Sequence, residues 1–157
     1  MPGIRTSLWF DTEGEEAARF YTSLFPNSEV TGVTHYTEAG PRPVGQVLTV
    51  DFTLDGQRFT AINGGPEFTF DEAVSVLIEC ADQAEVDRYW AALTEGGEEG
   101  PCGWLKDRYG LSWQVVPLRL NELTSDPDPG RARRATEAMF GMKKIDVAAL
   151  EAAADAG

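Results

Sequence analysis

The sequence predicts an α+β fold: two tandem β-α-β-β-β modules followed by C-terminal helices. Three observations carry this. A strand-like run, Ile4 to Phe10 (IRTSLWF), returns 70 positions later as Val74 to Cys80 (VSVLIEC). Each run leads at once into a helix-start signature, and both helices carry an aromatic stripe in the same register. After each helix the apolar period falls back to two, around hairpin glycines at Gly56 and Gly110.

In the first module, Thr12 and Glu15 have the spacing of a capping box, in which each side chain satisfies a free backbone N–H at a helix start. The helix then places Ala17, Phe20, Tyr21 and Leu24 on one face, and Pro26-Asn27 ends it. Ser28 to Tyr36, Val44 to Leu54 and Gln57 to Asn63 read as strands, the last two joined by Asp55-Gly56, a type I′ hairpin signal.

The second module repeats this order. Asp82 and Glu85 renew the cap spacing, and Val86, Tyr89, Trp90 and Leu93 renew the stripe, which Gly96-Gly97 closes. A short strand near Glu98 precedes a hairpin of Cys102 to Asp107 and Leu111 to Val116, turning at Arg108-Tyr109-Gly110. Neither module can bury both faces of its sheet alone. The modules, 1–65 and 70–117, therefore form one paired domain over 1–117, and 118–157 is a helical arm.

In that arm, Leu118 to Leu123 is a helical turn, and the Ser125 to Gly130 segment (SDPDPG) is a break. Arg131 to Met142 is a helix with Ala135, Met139 and Phe140 on its apolar side. Asp146 caps a last helix, with Ile145 and Leu150 placed as a hydrophobic staple. The arm packs either on its own domain or across a partner subunit.

Composition narrows the function. Thirteen basic residues against 26 acidic ones give a net charge of -13, a field that repels phosphate backbones and argues against nucleic acid. No apolar run approaches the ~20 residues of a membrane span, and the N-terminus lacks a signal-peptide pattern, so a cytoplasmic protein without membrane attachment is expected. Cys80 and Cys102 are too few for a disulfide scaffold or zinc cluster, and Cys80 sits in an apolar run as a packing residue.

The segments Leu8 to Val30 (LWFDTEGEEAARFYTSLFPNSEV), Glu85 to Pro117, with its CGWLKD and GLSWQVVP strings, and Ala138 to Ala153 (AMFGMKKIDVAALEAA) resemble the PhnB-like group of the vicinal-oxygen-chelate (glyoxalase/bleomycin-resistance/dioxygenase) superfamily. That group often carries the label 3-demethylubiquinone-9 3-methyltransferase. The resemblance runs along essentially the whole chain. It implies a curled mixed sheet around a cup-shaped cavity and a homodimer. The chain has no Gly-rich strand-to-helix turn of the kind that cradles a nucleotide-like cofactor, and no cofactor is expected.

Strand alternation then sorts the cavity residues, because one face packs on the helix and the other lines the cup. Leu8 and Phe10 go inward, leaving Arg5, Ser7 and Trp9 toward the cup; Val50, Phe52 and Leu54 likewise leave Thr49 and Asp51. Val76, Ile78 and Cys80 leave Ser75, Leu77 and Glu79, while Trp113 and Val115 leave Ser112, Gln114 and Val116. Aligning Gly56 with Gly110 matches Thr60 to Gln114, and Cys102 shares a face with Trp104.

Metal-using members of the superfamily place His or Glu on the first and last strands of each module. Here those positions are Arg5, Thr60, Ser75 and Gln114, none of them an imidazole or carboxylate, so no metal is expected. His35, the only histidine, lies on another strand and reads as a surface or packing residue.

Trp9 and Trp104 either wall a site for a flat, partly apolar molecule or simply fill the cup. Asp51 and Glu79 are general bases if desolvated and otherwise solvated strand carboxylates. Cys102, near Lys106, has no histidine to activate it. The expected function is metal-independent binding of a small, partly aromatic or apolar molecule. The alternatives are a metal-dependent glyoxalase- or dioxygenase-type enzyme, a methyltransferase, or a structural role through the arm.

Overall fold

The computed structural model describes residues 2–157, which divide into two compact units. One ends at Phe70 and the other runs from Asp71 to Gly157.

The first unit holds β1 (Thr6–Phe10), α1 (Gly14–Leu24), β2 (Glu29–His35), β3 (Val47–Leu54) and β4 (Gln57–Asn63). Its sheet runs β1-β4-β3-β2, with β1 parallel to β4 and the other pairs antiparallel. Asp55 and Gly56 both have positive φ (47° and 78°), as a type I′ turn requires. Leu8, Phe10, Val50, Phe52, Phe59 and Ala61 are buried on the face that alternation assigns to the helix, together with Ala17, Ala18 and Tyr21 of α1. Phe52 and Phe59, cross-strand partners, stack at 5.3 Å between ring centroids.

Two local expectations change. No Thr12–Glu15 capping box forms: Glu13 is the cap position and its side chain makes no cap bond. The Gly14 N–H instead donates to Asn63 Oδ1 at 2.7 Å, a buried amide brought from β4. Strand β3 starts at Val47 rather than Val44, because Pro41, Pro43 and Gly45 (φ 91°) build a turn ahead of it.

The second unit holds β5 (Ser75–Cys80), α2 (Gln83–Thr94), β6 (Glu98–Glu99), β7 (Trp104–Lys106) and β8 (Ser112–Pro117). Its sheet order, β5-β8-β7-β6, repeats that of the first, again with a parallel first pair. Thr6 faces Phe59 and Val76 faces Trp113, so the matched registers uphold the alignment of Gly56 with Gly110. Asp82 accepts from the Glu85 N–H at 3.0 Å, and Glu85 accepts from the Ala81 N–H at 2.8 Å. Helix α2 buries Val86, Tyr89, Trp90 and Leu93, the stripe read from the sequence.

Three helices complete this unit: α3 (Leu118–Thr124), α4 (Pro129–Phe140) and α5 (Val147–Asp155). They pack on their own unit. Val116 of β8 joins Leu120, Leu123, Ala135, Ile145, Leu150 and Ala154 in one buried cluster, with Met139 and Met142 against it. The Asp146 cap accepts from the Ala149 N–H at 3.0 Å, and Ile145 and Leu150, the staple pair, are both fully buried. No helix among the described residues is long and apolar enough to cross a membrane.

Candidate functional site

The open faces of the two sheets differ in what they can do. In the first unit, Ser7, Thr60 and Asp51 lie side by side across β1, β4 and β3. The Thr60 hydroxyl donates to Asp51 Oδ1 at 2.6 Å, and Arg5 Nη1 stands 3.0 Å from Asp51 Oδ2 and 3.3 Å from Thr60 Oγ1. The Thr60 hydroxyl, then Arg5 and Arg58, hold the Asp51 carboxyl below its ordinary range against a partial burial that works the other way. A general base needs the opposite shift. Asp51 is a carboxylate kept ionised by its neighbours.

Thr49 pairs with Thr34 through their hydroxyls at 2.5 Å. Trp9 is used by its own chain: Nε1 donates to the Gly65 carbonyl at 2.9 Å, and the ring meets Phe68 edge-on at 4.9 Å. Gly64 lies against the indole so closely that a Cβ there would come within 2.3 Å of it. His35 is exposed on β2.

In the second unit, register aligns Leu77, Gln114 and Trp104 in one row, with Ser75, Ser112 and Lys106 in the next. Gln114 Nε2 donates to Ser75 Oγ at 2.9 Å. Above these rows the helices leave a cavity of about 660 Å³. Its floor includes Leu77, Cys102, Trp104, Gln114 and Val116, and its wall includes Leu120, Asn121 and Thr124 of α3 with Thr136, Met139 and Phe140 of α4. Leu77 and Phe140 are 48% and 68% exposed, so apolar side chains reach solvent where the floor and the wall end. Glu79 is exposed opposite Val116 and is not part of the lining.

Cys102, Trp104 and Gln114, with Leu77 and Val116 from the same cup-facing sets, are thus the sequence-selected residues that meet in one cavity. The six helical residues lie outside the sequence-derived site. The apolar side Ala135–Met139–Phe140 is the one signal pointing to them, and it says nothing of what they cover.

The four positions expected from the resemblance to match metal ligands are tied up in contacts within each unit. Arg5 and Thr60 bond with Asp51, and Ser75 with Gln114. A guanidinium at one of them repels a cation. No three His, Cys, Asp or Glu side chains among the described residues converge as a metal group would need.

The cysteines separate sharply. Cys80 is fully buried, and burial first, then Glu85, pushes its thiol up to about 11. Cys102 is partly exposed in a left-handed conformation (φ 58°), held by its N–H on the Met142 carbonyl at 2.8 Å. Iodoacetamide at pH 8 should therefore alkylate Cys102 in the native protein and spare Cys80, while both react in urea. Peptide mass mapping checks this, and equal native rates would contradict the burial. Because the folded Cys80 thiol lies above its unfolded value of about 8.5, its contribution to stability is present at neutral pH and fades as pH rises from there toward 11.

Residues 2–116 match the family model described as 3-demethylubiquinone-9 3-methyltransferase. A PhnB protein from Bacillus cereus is 37% identical over 74% of this chain and 99% of its own, with a TM-score of 0.66. Protein PA1353 from Pseudomonas aeruginosa (19% identity, 74% and 98% coverage, TM-score 0.60) shares the fold. So does the fosfomycin resistance protein FosX from Listeria monocytogenes, complexed with Mn(II) and sulfate (13%, 74% and 90%, TM-score 0.52). No curated protein matches the chain. The family match ends at residue 116, just short of the helices that wall the cavity. On its sequence match and its fold together, the chain belongs to the PhnB-like 3-demethylubiquinone-9 3-methyltransferase family, within the vicinal-oxygen-chelate superfamily.

Proposed function

We propose that the chain binds a small, partly aromatic or apolar molecule in the cavity of its second unit, without a metal. The cavity itself carries the reading. About 660 Å³ suits a drug-sized molecule, and the lining pairs Trp104, Leu77, Met139 and Phe140 with a few polar groups, Gln114, Asn121, Thr124 and Thr136. Trp104 offers a flat face for stacking, and the Gln114 amide gives direction. The residue types at the superfamily's metal positions support a metal-independent site.

The test is a thermal-shift panel of planar aromatic compounds, run with excess EDTA. A ligand at 100 times its Kd should stabilise the protein by about 2.7 kcal/mol, and Trp104→Ala should lose most of that shift. A ligand that binds the wild type, Trp104→Ala and Thr124→Trp chains equally well sits elsewhere and sinks the reading. S-adenosylmethionine belongs in the panel, because the family description names methyl transfer. Its saturable binding in competition with the aromatic ligand would favour an enzyme over a binding protein. A homodimer is part of the same proposal, supported by the exposed apolar Leu77, Leu118 and Phe140, and the mass in solution decides it.

A further inference from the structure

We propose that the cavity selects an anionic amphipathic ligand, an aromatic or alicyclic carboxylate, whose charged group takes the place of Glu72 on Lys106 and is completed by Ser112 and Gln114. This rests on the binding reading above and deepens it.

The first observation is an unmet hydrogen bond. Ser112 is 1% exposed, and its Oγ has no hydrogen-bond partner. Native proteins rarely leave a buried hydroxyl in that state, and such groups call for an explanation. Register places Ser112 on the same sheet face as Gln114, between Ser75 and Lys106. Ser112 and Lys106 stand one row beyond the lining residue Gln114, so a ligand oxygen reaching past Gln114 would supply the missing partner. Gln114 Nε2, already bonded to Ser75, has a second N–H to offer.

The second observation is what Lys106 holds. Its ammonium pairs with the Glu72 carboxylate, which comes from the loop ahead of β5 and lines the cavity. Lys106 and Glu72 are 38% and 59% exposed, so the pair contributes little to the fold and exchanges readily. Glu72 first, then Glu98, opposite Lys106 on β6, and Asp71 raise the Lys106 ammonium above its ordinary range. Replacing the Glu72 carboxylate by a ligand carboxylate leaves the charge around Lys106 unchanged, while Glu72 swings into water. Glu72 thus occupies the site as an internal stand-in for the ligand.

The rest of the cavity decides the remainder of the molecule. Leu77, Trp104, Val116, Leu120, Met139 and Phe140 are apolar and reward a ring system instead of a second charge. A chain with net charge -13 also repels anions at long range, so a local cation is what an anionic ligand would need.

Calorimetry with 2-naphthoate and 2-naphthamide, which differ only in the charged group, tests this on the full chain. The wild type should bind the carboxylate about tenfold or more tighter than the amide, as a charge-assisted contact does. Lys106→Gln should erase that preference, and Glu72→Gln should tighten the carboxylate by removing its competitor. Ser112→Ala should weaken the carboxylate several-fold yet melt no lower than the wild type, because it deletes an unsatisfied group. Equal wild-type affinities for the two probes, or a Lys106→Gln change that weakens both alike, would overturn the inference and leave the binding reading standing. Failure of both probes to bind would overturn the two together.

Discussion

Replacing Trp113 by Ala should lower the unfolding free energy by about 4 kcal/mol, close to the whole stability of a marginal domain. Trp113 is 1% exposed and is the largest fully buried side chain, packed between β8 and α2 with Leu105, Val115 and Leu93 also in that buried set. Its indole also donates to Asp107 Oδ2 at 2.9 Å. Asp107 is itself buried, and its other oxygen accepts from the Tyr109 and Leu111 N–H groups at 2.8 and 3.1 Å, which fixes the β7–β8 hairpin. Truncation therefore opens a cavity and removes one donor from a buried carboxylate, two costs that add. Trp113→Phe keeps most of the volume and should cost about 1–3 kcal/mol, the share of the lost N–H. Urea titration followed by circular dichroism measures both. A loss below about 1 kcal/mol for the alanine variant would mean that the hairpin and α2 do not share one core.

The burial of Trp113 is legible in the amino-acid sequence, because strand parity alone sends it to the helix side. The same holds for the α2 stripe and the Asp55-Gly56 turn, whose determinants are neighbours in sequence. The Thr12–Glu15 capping box fails for the complementary reason. Its spacing is right, but Asn63 reaches the Gly14 N–H from 49 residues away, and local spacing cannot report a competitor that distant.

The site follows the same division. Parity places Trp104 and Gln114 on the floor of the cavity, since a floor is one face of a sheet. Cys102, read from the sequence as part of the same strand, reaches the floor from the left-handed turn ahead of β7. The wall is not legible. Periodicity shows that Ala135, Met139 and Phe140 form an apolar side, yet an apolar helix face packs equally well on its own sheet or on another chain. What decides it is tertiary: Val116 and Ile145 are buried together with Leu120 and Leu150. The Ser112 orphan is equally hidden, because a hydroxyl on a cup-facing strand reads as solvated, and only the fold shows it 1% exposed opposite Lys106.

The turn at Cys102-Gly103 is where fold and site depend on one residue, and Gly103→Ala should disturb both. Gly103 is buried with φ 83°, a left-handed conformation that disfavours any Cβ. Here the added atom would also lie 2.9 Å from the Val115 carbonyl oxygen and 3.1 Å from Ile145 Cγ1. Neither neighbour can yield. Val115 is ladder backbone in β8, and Ile145 is fully buried in the helical cluster. The turn also anchors the helices, with Cys102 and Gly103 donating to the Met142 and Lys143 carbonyls at 2.8 Å each. The expected loss is about 2–4 kcal/mol, from strain plus overpacking. Gly110→Ala is the matched control, with φ 86° and nothing within 4 Å of the new Cβ, so it should show only the backbone part, about 1 kcal/mol. Binding separates the two further. A shift at Gly103 moves Cys102, Trp104 and the segment from Met139, at the end of α4, through Met142 together, so Gly103→Ala should weaken an aromatic ligand several-fold while Gly110→Ala leaves it unchanged. Equal urea midpoints for the two variants would show that the helices are not clamped through this turn, and the cavity wall would then lose its anchor on the sheet.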